Sequence, residues 1–327
     1  MSSAPVARPA AACTRNVVSE GTLSLPRERT MSTKHVLDKA HPVHWIVDWD
    51  GTITQKDTLD TLVGIAASTK PALPTLHHWQ RLSKAYVDEY TATLERLVPN
   101  GALPNTVHQE KQLLKQLKDV EAHSLSRVSS SAIFAGLTSH VIETGAQQAI
   151  TSHHVQLRHG FSSFLQSIQS QAHHSFTILS VNWSRHFIRS CLEASASTVP
   201  SHAILANELD NLCSDEPSTG QIVPTNNVDG DLIMSSGDKL ERMQAIKGQK
   251  VYIGDSWTDI ECLIAADFGI CMRDDPMGTS QKQLAHALER LGIPCPRLRD
   301  CHELNHSHVA WATDFAEIQD WIESRST

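Results

Sequence analysis

The chain has 327 residues, 40% of them hydrophobic and 20% charged, with a formal net charge of −8. That is room for one large domain or two of ordinary size, with a substantial core. An acidic balance without a basic block argues against nucleic acid and against an anionic membrane surface, and no apolar run approaches the ~18 residues of a membrane span.

The seven cysteines are odd in number, scattered and without a C-x-x-C pair, which reads as reduced intracellular thiols. Cys301, His302, His306 and His308 have loosely ligand-like spacing, but no second cysteine pair completes a tetrahedral zinc set. Residues 1–40 are rich in Ala, Ser, Pro and Arg, lack apolar periodicity and read as a disordered tail. The tail has no apolar stretch of a secretory signal, so the expected compartment is the cytoplasm. Arg8, Arg15, Arg27 and Arg29 make a mitochondrial transit peptide the alternative, and Met31 offers a second start.

The first strand is read over residues 44–48, where His44-Trp45-Ile46-Val47 runs into Asp48-Trp49-Asp50-Gly51-Thr52. Carboxylates at the end of a buried strand cost free energy unless they are paired or hold a metal. Gly51 to Thr58 reads as a turn. After Pro71 and Pro74 the period changes: Leu76, Trp79, Leu82, Tyr86, Tyr90, Leu94 and Leu97 recur at steps of three and four, the mark of an amphipathic helix. Asn100-Gly101 stops it. A second helical stretch carries Val107, Leu114, Leu117 and Val120. A third, after a serine-rich break at Ser124–Ser131, carries Ile133, Leu137, Val141 and Ile142. Nothing in 60–155 reads as a strand, so this is a helical insertion. Its stripe of Trp79, Tyr86 and Tyr90 reads as insertion core ahead of substrate cage.

Strands then return at 176–180, 203–206, 250–255, 268–272 and 309–311. Helical patterns at 161–168, 186–192, 239–246, 259–266, 281–291 and 315–322 alternate with them, and 214–237 reads as a turn-rich excursion or hairpin. The alternation implies an α/β fold with a parallel, doubly wound sheet. Such sheets bind ligands at the C-terminal ends of their strands.

Four polar sites fall where apolar runs stop: Asp48 with Asp50, Ser180, the helix start near Lys239, and Asp255 with Asp259. Asp48 and Asp255 suit Mg²⁺, a hard cation that takes oxygen ligands. Ser180 can donate to a phosphate oxygen and Lys239 can neutralise its charge. Asn182 is a further candidate phosphate donor, while Trp183 reads equally as core packing. One carboxylate can act as nucleophile through an aspartyl-phosphate, and a second can protonate the leaving oxygen.

Asp48-Trp49-Asp50-Gly51-Thr52, Ser180, Lys239 and Gly254-Asp255-Ser256-x-x-Asp259 resemble, in order, the four motifs of the haloacid dehalogenase (HAD) superfamily, over about residues 44–273. The resemblance implies a Rossmann-like core at 41–58 and 161–327, bound Mg²⁺, nucleophile Asp48 and acid–base Asp50. It implies that Asp255 ligates the metal by its side chain and Asp50 by its backbone carbonyl, and that Asp259 supports the metal shell or orients Lys239. Thr52, Ser180, Asn182 and Lys239 would meet the phosphate. The insertion, 59–160, resembles the all-helical C1 cap of the phosphoserine-phosphatase-like branch, as do Ala206-Asn207-Glu208-Leu209 and Ala266-Asp267-Phe268-Gly269-Ile270. In that branch an acidic residue seven positions after the second aspartate meets the substrate's amine; here it is Asp57. The other cap residues of that enzyme are not matched. The expected function is a Mg²⁺-dependent phosphatase for a small phosphorylated metabolite, with Asp50 separating it from dehalogenases and transport ATPases. The alternatives are a phosphotransferase or phosphomutase and a non-catalytic protein on the same fold. The sequence names neither the substrate nor an oligomeric state.

Overall fold

The computed structural model describes residues 42–214, 216–225, 231–301 and 308–324. The expected tail at 1–40 lies outside the described residues, as do His302 and His306 of the Cys/His group.

In chain order the strands are β1 (Val43–Val47), β2 (Ser175–Leu179), β3 (Ile204–Leu205), β4 (Glu208–Leu209), β5 (Ile222–Val223), β6 (Gln249–Gly254), β7 (Phe268–Met272) and β8 (Val309–Ala312). Six of them form one parallel sheet in the order β3-β2-β1-β6-β7-β8, and β4 pairs antiparallel with β5. After β1 come four consecutive helices, α1 (Leu59–Ser68), α2 (Thr75–Leu97), α3 (Val107–Ser130) and α4 (Ser139–Thr151). The remainder are α5 (Phe161–Gln169), α6 (Arg185–Ala194), α7 (Ser236–Ala245), α8 (Ile260–Ala265), α9 (Thr279–Arg290) and α10 (Phe315–Ser324). Among the described residues no helix is long and apolar enough to cross a membrane.

Successive strand residues point to opposite faces, and both faces of this sheet are covered. On β1, Trp45 and Val47 join a core layer with Phe164 of α5 and Phe315 of α10, whose rings lie 5.2 Å apart. Ile46 joins the other layer, with Met243 of α7, Leu263 of α8 and Leu284 of α9. That is why the strands read as near-continuous apolar runs instead of alternating ones.

Three local expectations are corrected. The turn after β1 is followed by α1, which the sequence reading passed over; Leu59, Leu62, Val63 and Ala66 are its buried face. The serine-rich stretch is no break, because α3 runs through Ser130 and its apolar spacing continues from Val120 to the buried Leu125 and Val128. Ile133 and Leu137 are therefore buried loop residues, and the next helix starts only at Ser139, where the Thr138 hydroxyl accepts from Val141 N–H at 3.4 Å. The strand expected at 203–206 shortens to the two residues of β3.

Strand order runs outward in opposite directions from β1 and β6, so the topological switch point lies between them. Crevices of this kind form beyond the carboxyl ends of the strands. A methyl group on Gly269 of β7 would lie 2.5 Å from the Leu263 carbonyl oxygen of α8, backbone that cannot move aside. Gly269→Ala is expected to lower stability by about 1–3 kcal/mol through overpacking. Gly64→Ala, inside α1 with open space around it, is expected to raise stability by up to about 1 kcal/mol through helix propensity. Urea midpoints of the two variants should move in opposite directions.

Candidate active site

Val47 on β1 is in register with Ile178 on β2 and Ile253 on β6. The residues that follow each strand therefore emerge side by side: Asp48 after β1, Ser180 after β2, Asp255 after β6. The Asp48 N–H still donates to the Ile253 carbonyl at 2.9 Å, so its side chain is held at the sheet edge. Gly51 carries the chain around the turn at φ +75°, and a Cβ there would fall 2.5 Å from Asp255 Oδ2. Only glycine combines that backbone conformation with so close an approach.

Lys239, fully buried on the first turn of α7, joins the two aspartate pairs. Its Nζ donates to Asp48 Oδ1 at 2.7 Å and to Asp259 Oδ1 at 2.7 Å. Lys250, also nearby in sequence, donates its Nζ to the Gly248 carbonyl at 3.0 Å instead. Asp259 is bonded on both oxygens. Tyr252 OH donates to Oδ1 at 2.6 Å, while the Ser256 hydroxyl (2.9 Å) and the backbone N–H groups of Asp255 and Ser256 donate to Oδ2. Burial opposes its charge, but the Lys239 ammonium and these donors hold its carboxyl below the usual range. Burial likewise works against the Lys239 charge, and Asp259 and Asp48 together keep its pKa above the usual value.

One ammonium cannot compensate three carboxylates. Burial pushes Asp48 up to about 7, despite the attraction of Lys239. Asp255 is raised well above the carboxylate range by burial and by the charges of Asp259 and Asp48. Among the described residues its carboxylate accepts only from neutral hydroxyls, Thr52 at 3.2 Å and Ser280 at 3.3 Å. Oxygens of Asp48, Asp255 and Asp259 lie within 4.8 Å of one another. This set fits a hard divalent cation, which would supply the missing positive charge. With both oxygens of Asp259 occupied, Asp48 and Asp255 are the carboxylates open to it.

The Asp50 carboxylate is held by a different set of residues. Its Oδ1 accepts from Thr58 N–H at 2.8 Å and from the Thr58 hydroxyl at 2.7 Å, and its Oδ2 accepts from Asn182 Nδ2 at 2.9 Å. Asn182 is thereby committed: its Oδ1 also accepts from Ser184 N–H. Sequence reading aimed Asn182 at phosphate; the structure places its amide on Asp50. Thr52, aimed at phosphate too, donates its hydroxyl to Asp255. The Ser180 hydroxyl accepts from Asn182 N–H at 3.1 Å and has no acceptor for its own proton among the described residues. Asp57 is exposed, accepts from Leu59 N–H at 2.8 Å and lines a small cavity of about 50 Å³ between α1, α2, α3 and the loop after β2.

Several residues of the site were not singled out from sequence. Arg158, buried just before α5, donates to the Thr52 carbonyl at 3.1 Å and the Gly51 carbonyl at 2.6 Å and is ion-paired with Asp274. It fixes the loop that carries Asp50. Thr58, Tyr252 and Ser280 act as described above. Glu110 of α3, also buried, accepts from Trp257 Nε1 at 2.6 Å and pairs with Arg290, tying the inserted helices to the loop after Asp255. Asp259 and Asp255 flagged this neighbourhood, but nothing in local spacing points to Arg158 or Glu110.

Lys239→Met would strand two buried carboxylates and is expected to cost about 3–5 kcal/mol of stability. Tyr252→Phe removes one neutral donor and should cost about 1–2 kcal/mol. Urea unfolding of both variants checks the order as well as the sizes.

No protein-family model matches the chain. A CTO1 family protein of Schizosaccharomyces pombe is 30% identical over 243 residues, which is 71% of this chain and 82% of that protein. Cold tolerance protein 1 of Saccharomyces cerevisiae is 25% identical over 272 residues, 76% of this chain and 84% of that protein. The mitochondrial bifunctional TH2 protein of Arabidopsis thaliana is 27% identical over 252 residues, 68% of this chain but 38% of that protein. Among solved structures, a phosphoserine phosphohydrolase-like protein from Francisella tularensis aligns over 85% of this chain and 99% of its own, at 16% identity and a TM-score of 0.49. The polar residues that end β1, β2 and β6 stand together at one edge of the parallel sheet, and by sequence the chain belongs to the CTO1 family.

Proposed function

We propose that the chain is a Mg²⁺-dependent phosphatase that hydrolyses a small phosphomonoester through an aspartyl-phosphate on Asp48. The observation that carries this reading is the buried cluster of Asp48, Asp255 and Asp259 around a single ammonium, at the switch point of the sheet. A cluster short of positive charge is poorly suited to a purely structural role and well suited to phosphoryl transfer, which depends on positioning and on charge stabilisation.

In this reading Asp48 attacks phosphorus in line as the bond to the ester oxygen breaks. Asp50, oriented by Thr58 and Asn182, gives its proton to the departing oxygen. It then takes a proton from the water that attacks the aspartyl-phosphate, releasing inorganic phosphate and restoring Asp48. Lys239 has used two of its three N–H donors on Asp48 and Asp259; the third, with the Ser180 hydroxyl, is assigned to the non-transferred oxygens. Mg²⁺, held by Asp48, Asp255 and the Asp50 carbonyl, would supply the remaining charge neutralisation. Asp259 is assigned to orienting Lys239. The helices of 59–160 act as a cap that excludes water between steps, and the cytosol is the proposed compartment.

Asp48→Asn is expected to lower kcat for p-nitrophenyl phosphate by at least about 10³-fold, and Asp50→Asn by roughly 10²–10⁴-fold. Wild-type turnover by Asp48→Asn would remove the proposal. Phosphate release should stop on chelation and return with added Mg²⁺. The Asp48 carboxyl, pushed up to about 7, must lose its proton for the cation to bind. Apparent Mg²⁺ affinity should therefore weaken as pH falls through about 7 and strengthen above it, as a Mg²⁺ titration of activity at several pH values would show.

A further inference from the structure

The seven cysteines read from sequence as reduced thiols, yet two of them are placed for chemistry. Cys271 lies on β7, fully buried, in register with Gly254 of β6 on one side and Trp311 of β8 on the other. Cys295 lies in the loop after α9, half-buried between the exposed Pro294 and Pro296. The Pro296 carbonyl accepts from Trp311 N–H at 2.9 Å, and Arg297 bridges to Trp311. These contacts lay the loop along β8, and Cys295 packs against the core layer that contains Cys271.

The two thiols share a hydrogen bond, with Cys271 S–H donating to Cys295 Sγ. Cys295 Sγ also accepts from Arg273 Nη2 at 3.2 Å. Arg273 has no ion-pair partner among the described residues; its guanidinium lies 5.6 Å from the centre of the Trp311 ring. Two donors on one sulfur, one of them cationic, favour the thiolate, which is the nucleophilic form of cysteine. The hydrogen bond from Cys271 and the Arg273 charge hold Cys295 below the usual thiol range, although burial opposes them. Cys271 moves the other way, raised by giving that hydrogen bond and by burial. One thiol is thus fitted to attack while its neighbour keeps a proton. Cys191, buried in the other layer and raised by burial, is the ordinary inert case.

We propose that Cys295 and Cys271 form a peroxide-reactive dithiol, which a hydroperoxide converts to an intramolecular disulfide. The Cys295 thiolate sulfur attacks one peroxide oxygen, and the O–O bond breaks. The departing hydroxide takes from solvent the proton that Cys295 had released and leaves as water. Cys295 is then a sulfenic acid, oxidised by two electrons. The Cys271 sulfur attacks the Cys295 sulfur; an S–S bond forms and the S–O bond breaks. Hydroxide departs with the Cys271 proton as a second water. The sum is two thiols and one hydrogen peroxide giving one disulfide and two waters. With a resolving thiol in contact, oxidation stops at a stage that a thiol reductant reverses. The bond ties the 295 loop to the strand beside Gly254, the residue before Asp255. The proposal stands apart from the phosphatase reading, because every measurement that tests it is made on sulfur.

The test treats the folded full-length chain with hydrogen peroxide, blocks the remaining thiols with N-ethylmaleimide under denaturing conditions, and maps the peptides by tandem mass spectrometry. Trypsin releases Cys295 in the peptide 291–297 and leaves Cys262 and Cys271 together in 251–273, where fragment ions separate them. The expected product is a Cys295–Cys271 link that dithiothreitol removes. It should form at least about tenfold faster than the exposed Cys213 is oxidised. In Cys271→Ser, Cys295 should instead accumulate as a sulfenic acid that dimedone traps; in Cys295→Ser, Cys271 should stay reduced. Arg273→Met should slow the link at least about threefold, while Arg273→Lys, which keeps the charge, should retain most of the rate. Guanidinium chloride should abolish the preference for this pair in the wild-type chain, which separates placement from intrinsic thiol reactivity. Cys295 oxidised no faster than Cys213 in the folded wild-type chain, or linked to a cysteine other than Cys271, would overturn the proposal. That outcome is read on the wild-type chain, so a poorly folding variant cannot mimic it.

Discussion

The site depends on one buried ammonium. Lys239 holds Asp48 and Asp259 at 2.7 Å each, and without it the carboxylates gathered at the ends of β1 and β6 would repel one another where burial leaves little screening. Its position is fixed from behind. Ser235 and Asp238 form a reciprocal cap at the start of α7, and Asp238 also takes Lys118 of α3 at 2.6 Å. The closeness of the acids is set from the other side by two glycines. A Cβ at Gly254 would press to 2.5 Å from the Asp259 carboxyl carbon, as one at Gly51 would on Asp255. Backbone without side chains and one lysine together create a local excess of negative charge, and the rest of the core must hold it in place.

Much of this was legible in the sequence, for a physical reason. Parallel strands buried on both faces give apolar runs that end abruptly, and polar residues at those ends are conspicuous: Asp48, Ser180 and Asp255 each follow the last strand residue directly. The helical character of the insertion also follows from its three-and-four spacing. Other features were hidden by distance or by type. Arg158 acts on the carbonyls of Gly51 and Thr52, more than a hundred residues earlier, and no periodicity links them. Tyr252 lies within an apolar strand, where its hydroxyl is invisible to pattern. Serines 124–131 looked like a linker because composition outweighed the two apolar residues, Leu125 and Val128, that keep α3 buried. Asn182 and Thr52 were found, but their hydrogen bonds turn inward to Asp50 and Asp255. Sequence position alone could not show these hydrogen bonds, whose partners lie more than a hundred residues away in the chain.

The same wall serves several purposes. The segment after β2 supplies the Ser180 hydroxyl, the Asn182 amide that orients Asp50, and Val181 and Trp183 on the cavity. Thr58 plays the matching part on the opposite side, bonded to Asp50 and flanked by cavity residues. The residues around Asp50 and those lining the cavity are therefore consecutive along two short segments, so a shift in one is felt by the other.

The way the chain enters and leaves the four inserted helices has a consequence of its own. Thr54 bridges to Leu157, Gln55 N–H donates to the Gln156 carbonyl, and Arg158 N–H donates to the Ile53 carbonyl at 2.7 Å. The two crossings form a short, closed neck. Once a neck is closed, the loop beyond it is cheap to resize, since doubling its length costs only about 0.6 kcal/mol of closure entropy. Parts of the insertion other than Thr58, Glu110 and Lys118, which brace the site, can be lengthened, trimmed or exchanged while Asp48, Asp50 and the loop under Arg158 keep their places. Remodelling such a module leaves the sheet edge in place, and the same neck is the natural seam for engineering hybrids.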